Sequence, residues 1–259
     1  MVYCDYKKSV MRVGHLWFAC RLPQGTHKPD LLYKHGQKVP ERGFFTISSV
    51  QHTQITDLTL DENVLYHSIR KNYRYEIRRA DKENVTNTLY TAEQMAECPE
   101  ILDAFEQIYN QMYRDKQMSV TFNRPLVEAY QKQKGIVFTV ARYDGEPLVF
   151  HSYIIDKTQV RFFYSASPFR AQKDLAAEIG RMNKALHWFD MQTFQRMGIR
   201  VYDWGGIRSP EKPNGIDLFK MGFGGTAVSY YNVISGTSLK GKAAVLLLKI
   251  KAALIKKEG

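Results

Sequence analysis

The stretch Tyr202–Gly225, YDWGGIRSPEKPNGIDLFKMGFGG, decides how the rest of the chain is read. It opens on the end of a short apolar strand that runs at once into two glycines. It closes on GIDLFKMGF, which has the spacing of a helical turn with apolar residues on one side and carries Lys220. A core segment has no use for so many glycines, and a plain loop has no use for an amphipathic turn. Glycine at a strand end lets a ligand or a second backbone come close. The stretch therefore reads as a place where something is held.

At 259 residues the chain is long enough for one large domain or two modest ones. Hydrophobic residues make up 44% and charged residues 24%, values of an ordinary water-soluble globular protein. Cys4, Cys20 and Cys98 are odd in number and far apart, with no CxxC pair and no signal-like apolar run near Met1. The expectation is a reduced, cytoplasmic protein. No run approaches the ~20 apolar residues that a membrane span needs. Lysine and arginine number 37 against 26 acidic residues, a formal charge of +11. That excess attracts polyanions: tRNA, coenzyme A, nucleotide-sugars or an anionic lipid surface.

Residues 1–57 read as a β-rich N-terminal extension, with HLWFACRLP and GFFTISSV as strands and the Gly/Pro/Lys-rich segment between them as turns. A helix is predicted over LDENVLYHSIRKNYRYEIRRADKENV, residues 60–85, capped by Asp61, with Leu65, Ile69, Tyr73 and Ile77 as its buried stripe. Its other side carries Arg70, Arg74 and Arg78, candidates for polyanion binding that on their own describe no more than a solvated face. A second helix covers AEQMAECPEILDAFEQIYNQMYRDKQM, broken near Pro99. Three antiparallel strands follow, turning at Asp144-Gly145 and at DKTQ. The next helix runs from an Asp174 cap to a Gly198 stop, then come the strand IRVYDW, the short helix and the strand TAVSYYNVI. This order is an α+β pattern: a mixed, mostly antiparallel sheet flanked by helices, with one strand entered from a helical crossover. Residues 58–236 form that domain, and 237–259 a basic C-terminal helix. Lys242, Lys249 and Lys256 recur on one face of that helix, which either docks on the domain or makes a peripheral membrane contact.

Several chemistries lack their residues. The histidines are scattered without HExxH or a Cys/His pair, so no metal site is expected. There is no GxSxG elbow, no GxxxxGK[ST] loop and no GxGxxG after a first strand. What remains is an ordered set at strand ends. YSASPFR brings Tyr164, Ser165, Ser167 and Arg170 to the start of a helix, where backbone N–H groups receive anions. YDWGG brings Asp203, Gly205 and Gly206 to the end of the next strand. DLFKMGFGG brings Phe219 and Lys220 beside it.

Four segments, IRKNYRYEIRRADKE, YSAS, NKALHWFDMQTFQRMGIRVYDWGGI and GIDLFKMGFGG…YY, resemble the FemAB-type branch of the GNAT acyltransferase superfamily over about residues 58–235. The resemblance implies a single GNAT-like domain and N-acyl transfer. FemAB proteins move an amino acid from aminoacyl-tRNA to an amine of a peptidoglycan precursor, and related GNAT proteins use acyl-CoA. The implied co-substrate is thus aminoacyl-tRNA or acyl-CoA, with no permanently bound cofactor, and the implied acceptor is an amine of an envelope precursor, a peptidoglycan peptide or an amino-sugar. The family's Phe-Lys motif matches Phe219-Lys220, which makes Lys220 the group that stabilises the anionic intermediate or the leaving group. Tyr164, Ser165, Ser167, Arg170, Gly205, Gly206 and Phe219 fall to donor binding.

The base stays open. Asp203 either positions the amine or holds the glycine turn. His151 has the intrinsic pKa of a base, yet strand alternation sets it among core residues. Two departures from the family stand out. Two-domain FemAB proteins form a cleft that a single domain cannot, and RAQKDLA replaces the pyrophosphate loop of acetyl-CoA enzymes, with Lys173 where a glycine would be. The missing loop and the +11 charge favour an aminoacyl-tRNA donor, with acyl-CoA close behind. The competing reading is a non-catalytic RNA- or membrane-surface-binding module built on the basic helices.

Overall fold

The computed structural model describes residues 1–258, with side chains through Leu254; the side chain of Lys256 lies outside the described residues. Four strands come first: β1 (Val2–Lys8), β2 (Met11–Trp17), β3 (Leu31–Gln37) and β4 (Thr46–Asp57). α1 (Glu62–Ser68), α2 (Lys71–Ala80), β5 (Val85–Tyr90), α3 (Ala92–Glu97), α4 (Pro99–Asp115) and α5 (Arg124–Lys132) follow. The meander β6 (Ile136–Tyr143), β7 (Glu146–Ile155), β8 (Gln159–Ala166) then leads into the long α6 (Ala176–Arg196). β9 (Val201–Ile207), α7 (Gly215–Met221), β10 (Thr226–Gly236) and α8 (Leu239–Glu258) complete the described chain.

All these strands join one mixed sheet in the order β1-β2-β3-β10-β4-β9-β8-β7-β6-β5. The N-terminal strands are thus built into the same sheet as the rest, with β4 paired on both sides between β10 and β9. Two pairings are parallel, β2 with β3 and β8 with β9. The second is the one that matters: α6 is its crossover, and only Gln159↔Val201, Val160↔Tyr202 and Arg161↔Asp203 pair before the strands part. On its other side β8 pairs with β7 across a register shift, Ser152↔Tyr164 against Tyr153↔Phe162, which leaves Phe163 without a partner. An extra residue of this kind bends a strand and increases its twist.

Period-two alternation assigns the faces. Val137, Tyr153, Val160, Tyr202 and Trp204 turn towards α1, α2 and α6, where Leu65, Ile69, Ile77 and Phe194 meet them. Ile136, Phe138, Val140, Phe150 and Ile154 turn the other way, onto Phe105, Leu126, Val127 and Tyr130 of α4 and α5. β6 is buried from Ile136 to Ala141 because both of its faces are covered. Each fully buried phenylalanine here contributes about 1.5–3 kcal/mol.

The structure departs from the sequence reading in places that have local causes. The helix expected over 60–85 is two helices, because Ile69 is extended (ψ 136°) and the Arg70 amide donates to Gly222 O at 2.8 Å instead of continuing a helical ladder. β3 sits where turns were expected, since DLLYKHGQ is masked by flanking Gly, Pro and Lys. β5 and α5 are additional, the latter started by Asn123, whose side chain accepts from Leu126 N, with a proline in the first turn. Asp174 lies in a 3₁₀ turn, and α6 begins at Ala176 without a side-chain cap. The break near Pro99, the Asp61 cap and the Gly198 stop (φ 80°) are as expected. α8 lies along β10 and β4, with Val245 buried and the Lys249 ammonium donating to Gly43 O and Phe44 O. Among the described residues no helix is long and apolar enough to cross a membrane.

Candidate active site

Where β8 and β9 part, they leave a cavity of about 360 Å³ on the α6 side of the sheet. Its walls come from four sources: Phe162, Ser165 and Ser167 of β8 and its following turn, Asn183 and His187 of α6, Phe219 and Lys220 of α7, and Lys116 at the end of α4 with Arg170. From Phe162 onward the β9-facing edge of β8 has no strand partner. An unpaired strand edge at a cavity wall offers main-chain hydrogen bonds to an extended ligand.

The position of Lys220 follows from the chemistry of its flanks. Asn214 caps α7 by accepting from Ile216 N and Asp217 N, while the Asp217 carboxylate accepts from Asn214 N at 3.1 Å and from Arg208 N at 3.0 Å. That reciprocal box fixes the first turn of the helix on its loop. Gly222, at the far end, packs so closely on Tyr73 that a Cβ would lie 2.3 Å from the ring. Held at both ends, α7 drives the Lys220 side chain into the fork of the two strands, where its ammonium donates to Gly206 O at 2.7 Å. Gly205 adopts φ 74°, and a Cβ there would meet Phe162 O at 2.8 Å, so a side chain at this point would close the fork. Burial, with Arg161 nearby, lowers the Lys220 pKa to about 8; Asp203 and Asp217 pull it the other way. At neutral pH the group remains a cation, held in a water-poor site.

At the mouth stand Lys116 and Arg170, neither of which has a carboxylate partner at ion-pair distance among the described residues. Partial burial and the charge of Arg170 lower the Lys116 pKa, as expected of two cations facing one space. Such a pair fits an anionic group. Asp115 shares this wall and limits the net positive charge.

The residues singled out from the sequence distribute unevenly. Ser165, Ser167, Arg170, Phe219 and Lys220 line the cavity, and Gly205 and Gly206 form the fork. Tyr164 does not line it: past the unpaired Phe163 its ring turns to Tyr109 and Phe122 on the α4 side. Asp203 also faces away, since Tyr202 and Trp204 take the α6 side of β9. Its carboxylate receives Arg161 at 2.5 Å, Thr53 Oγ1 and Gly205 N at 2.9 Å, which ties the fork together from below. That pair borders a second cavity of about 420 Å³ on the opposite face of the sheet, with Trp17, Phe18, Gln37 and Tyr230 around it. His151 is fully buried, with Nδ1 2.8 Å from Asp190 and Nε2 2.8 Å from the Asn183 amide, so both nitrogens are engaged. Arg70, Arg74 and Arg78 lie on α2 outside the cavity; Arg74 covers the Tyr66 ring at 5.9 Å.

Sequence reasoning passed over Lys116, Asn183 and His187. The last two sit four apart on α6 with Asp190 three further on, a polar stripe within the buried side of the helix. Side-chain atoms of His151, His187 and Asp190 lie within 4.8 Å of one another, a spacing a cation can use. Here hydrogen bonds already join His151 to Asp190, Asp190 to Tyr153 and His187 to Tyr202.

Residues 67–213, more than half of the chain, match the acetyltransferase (GNAT) domain family. The chain belongs to the GNAT family. It is an acyltransferase with the mixed sheet and strand fork described above. Among solved structures, it resembles the C-terminal domain of a protein described as a lysylphosphatidylglycerol synthetase from Agrobacterium fabrum, with a TM-score of 0.54 and 12% identity over 83% of this GNAT chain and 71% of that one. FemX is similar at a TM-score of 0.53 and 13% identity, over 78% of this chain and 65% of FemX. L-PGS from Bacillus licheniformis matches at 0.51 and 14%, over 83% and 71%. At such identities the likeness concerns the fold alone. No curated protein sequence matches.

Proposed function

We propose that this GNAT protein transfers an aminoacyl or short acyl group from aminoacyl-tRNA or acyl-CoA to an amine of a cell-envelope precursor, a peptidoglycan peptide or an amino-sugar. The observation that carries this reading is the Lys220 ammonium, delivered by a doubly anchored helix into the fork of two parallel strands. Attack of a neutral amine on an ester or thioester places negative charge on the carbonyl oxygen. A cation fixed in a water-poor site stabilises that charge without reorganising at the moment of reaction.

Lys116 and Arg170 at the mouth suit the phosphates that both donor types carry. The formal charge of +11 favours the larger polyanion, the charged tRNA. One of the structural neighbours is named for lysylphosphatidylglycerol, an aminoacyl compound, which supports the same preference. α8 turns Leu247, Ile250 and Leu254 outward beside lysines, which supports a peripheral contact of this cytoplasmic enzyme with an anionic membrane surface.

The test is donor binding. Coenzyme A and charged tRNA are titrated separately against the thermal transition at about 50 mM and 200 mM salt. A donor that raises Tm at both salts in the wild type, and less in a Lys116→Ala/Arg170→Ala double variant, supports the reading. Stabilisation by neither compound, or stabilisation that vanishes at the higher salt and ignores both substitutions, contradicts it and favours a basic RNA- or membrane-binding module.

A further inference from the structure

The polar stripe of α6 leads from the cavity into the core. Asp190 is fully buried and accepts the Tyr153 hydroxyl at 2.5 Å and His151 Nδ1 at 2.8 Å. Tyr153 Oη lies 2.7 Å from Tyr202 Oη, and Tyr202 Oη lies 2.9 Å from His187 Nδ1. A carboxylate only accepts, so the Tyr153 hydrogen is committed to Asp190. Tyr202 must then donate to Tyr153, and the Tyr202 oxygen is left to accept from His187. The chain of bonds thereby places the His187 hydrogen on Nδ1 and leaves a lone pair on Nε2. That nitrogen has no protein partner among the described residues, and the ring forms part of the cavity wall with Asn183, Phe219 and Lys220. Burial, with His151 and Lys220 facing the ring, holds the His187 pKa well below the usual histidine range, so the resting imidazole is neutral.

We propose that His187 Nε2 accepts the proton of the attacking amine and that the Tyr202–Tyr153–Asp190 chain stores it. This rests on the acyl-transfer reading of the cavity. The amine lone pair forms the new C–N bond while the carbonyl π electrons move to oxygen beside Lys220. The N–H proton passes to His187 Nε2. The Nδ1 hydrogen moves to Tyr202, the Tyr202 hydrogen to Tyr153 and the Tyr153 hydrogen to Asp190, which leaves the imidazole neutral with its hydrogen on Nε2. Collapse of the intermediate breaks the C–O or C–S bond. The departing oxygen or sulfur takes the Nε2 hydrogen, and the chain reverses to its starting state. His187 touches the reacting atoms in this scheme, while Tyr202, Tyr153 and Asp190 act through it as positioning residues.

The test reads the ring first and the reaction second. In protein carrying ¹⁵N-histidine, the resonances lost in His187→Gln assign the ring. The expected result is an Nδ1–H tautomer with an unprotonated Nε2 at neutral pH, and a changed tautomer balance in Tyr202→Phe. A hydrogen on Nε2, or titration at an ordinary histidine pKa, overturns the proposal. Transfer is then followed with acetyl-coenzyme A and with alanyl-tRNA as donors and glucosamine as the probe amine. His187→Gln is expected to lower kcat by about 10²–10⁴-fold with donor affinity retained. Free imidazole should restore part of the rate to His187→Gly, and Tyr202→Phe should shift the acid limb of the pH profile. Equal rates in wild type and His187→Gln overturn the proposal, as does a loss that imidazole does not rescue in folded protein. If the wild type acylates no amine, the acyl-transfer reading is what fails, and the ring measurement still decides the state of Nε2.

Discussion

Replacing Lys220 with methionine removes the charge from the fork while keeping most of the side-chain volume. The ammonium titrates at about 8 instead of 10.5, so about nine-tenths of it is protonated at pH 7. Losing one preorganised donor at a developing oxyanion lowers kcat by about 10²–10³-fold. Stability should move differently. Keeping a cation in this site rather than in water costs on the order of 3 kcal/mol, a cost present below pH 8 that fades as pH rises towards 10.5. The variant escapes that cost but leaves Gly206 O without its donor, at about 1–3 kcal/mol. The two nearly offset, so Lys220→Met should unfold in urea close to the wild type at pH 7 and lose ground to it above pH 8. The assay pairs urea titrations at pH 7 and pH 9 with transfer of a labelled acyl group. A variant that keeps its rate to within a few-fold, or one that fails only because it unfolds, would refute the role given to the ammonium.

Other substitutions separate the parts of the site. Gly205→Ala must place a methyl against Phe162 O at φ 74°, and should cost about 1–3 kcal/mol, read as a lower urea midpoint. Asp203→Asn strips the buried Arg161 of its counter-charge; we expect about 3–5 kcal/mol of destabilisation, with a residual rate that follows the folded fraction rather than the loss of a base. Lys116→Ala and Arg170→Ala should each weaken donor binding and reduce the slope of log affinity against log salt by about 1. Activity should rise as Lys220 holds its proton and fall above about pH 8, so that a pH profile still climbing at pH 10 would contradict its assignment.

Much of the site could be read from the chain because its pieces stand at element ends. Glycine after YDW, serines after a strand and a lysine on a capped short helix are local signals, and Ser165, Ser167, Arg170, Phe219 and Lys220 meet in one cavity. The glycines between Tyr202 and Gly225 serve different ends, Gly205 keeping the fork open while Gly222 makes room for Tyr73. What stayed hidden depends on the packing of distant elements. The direction of Asp203 is set by which face of β9 meets α6, and the extra residue at Phe163 turns Tyr164 out of the cavity. His187 becomes chemically distinctive only once Tyr202, Tyr153 and Asp190 are brought beside it from β9, β7 and a later turn of α6. Lys116 arrives from the end of a helix about fifty residues before β8 ends, with no local mark of its purpose.

The most direct measurement is the fate of the acyl group. Charged tRNA carrying a labelled amino acid, and separately a labelled acyl-CoA, are incubated with the protein and an extract of envelope precursors, and label is counted after mild alkali. Esters and thioesters release it, whereas an amide retains it. The expected result is alkali-stable label from one donor with the wild type and about 10²–10³-fold less with Lys220→Met. Stable label that accumulates equally with both proteins, or with neither, would contradict acyl transfer at the β8–β9 fork.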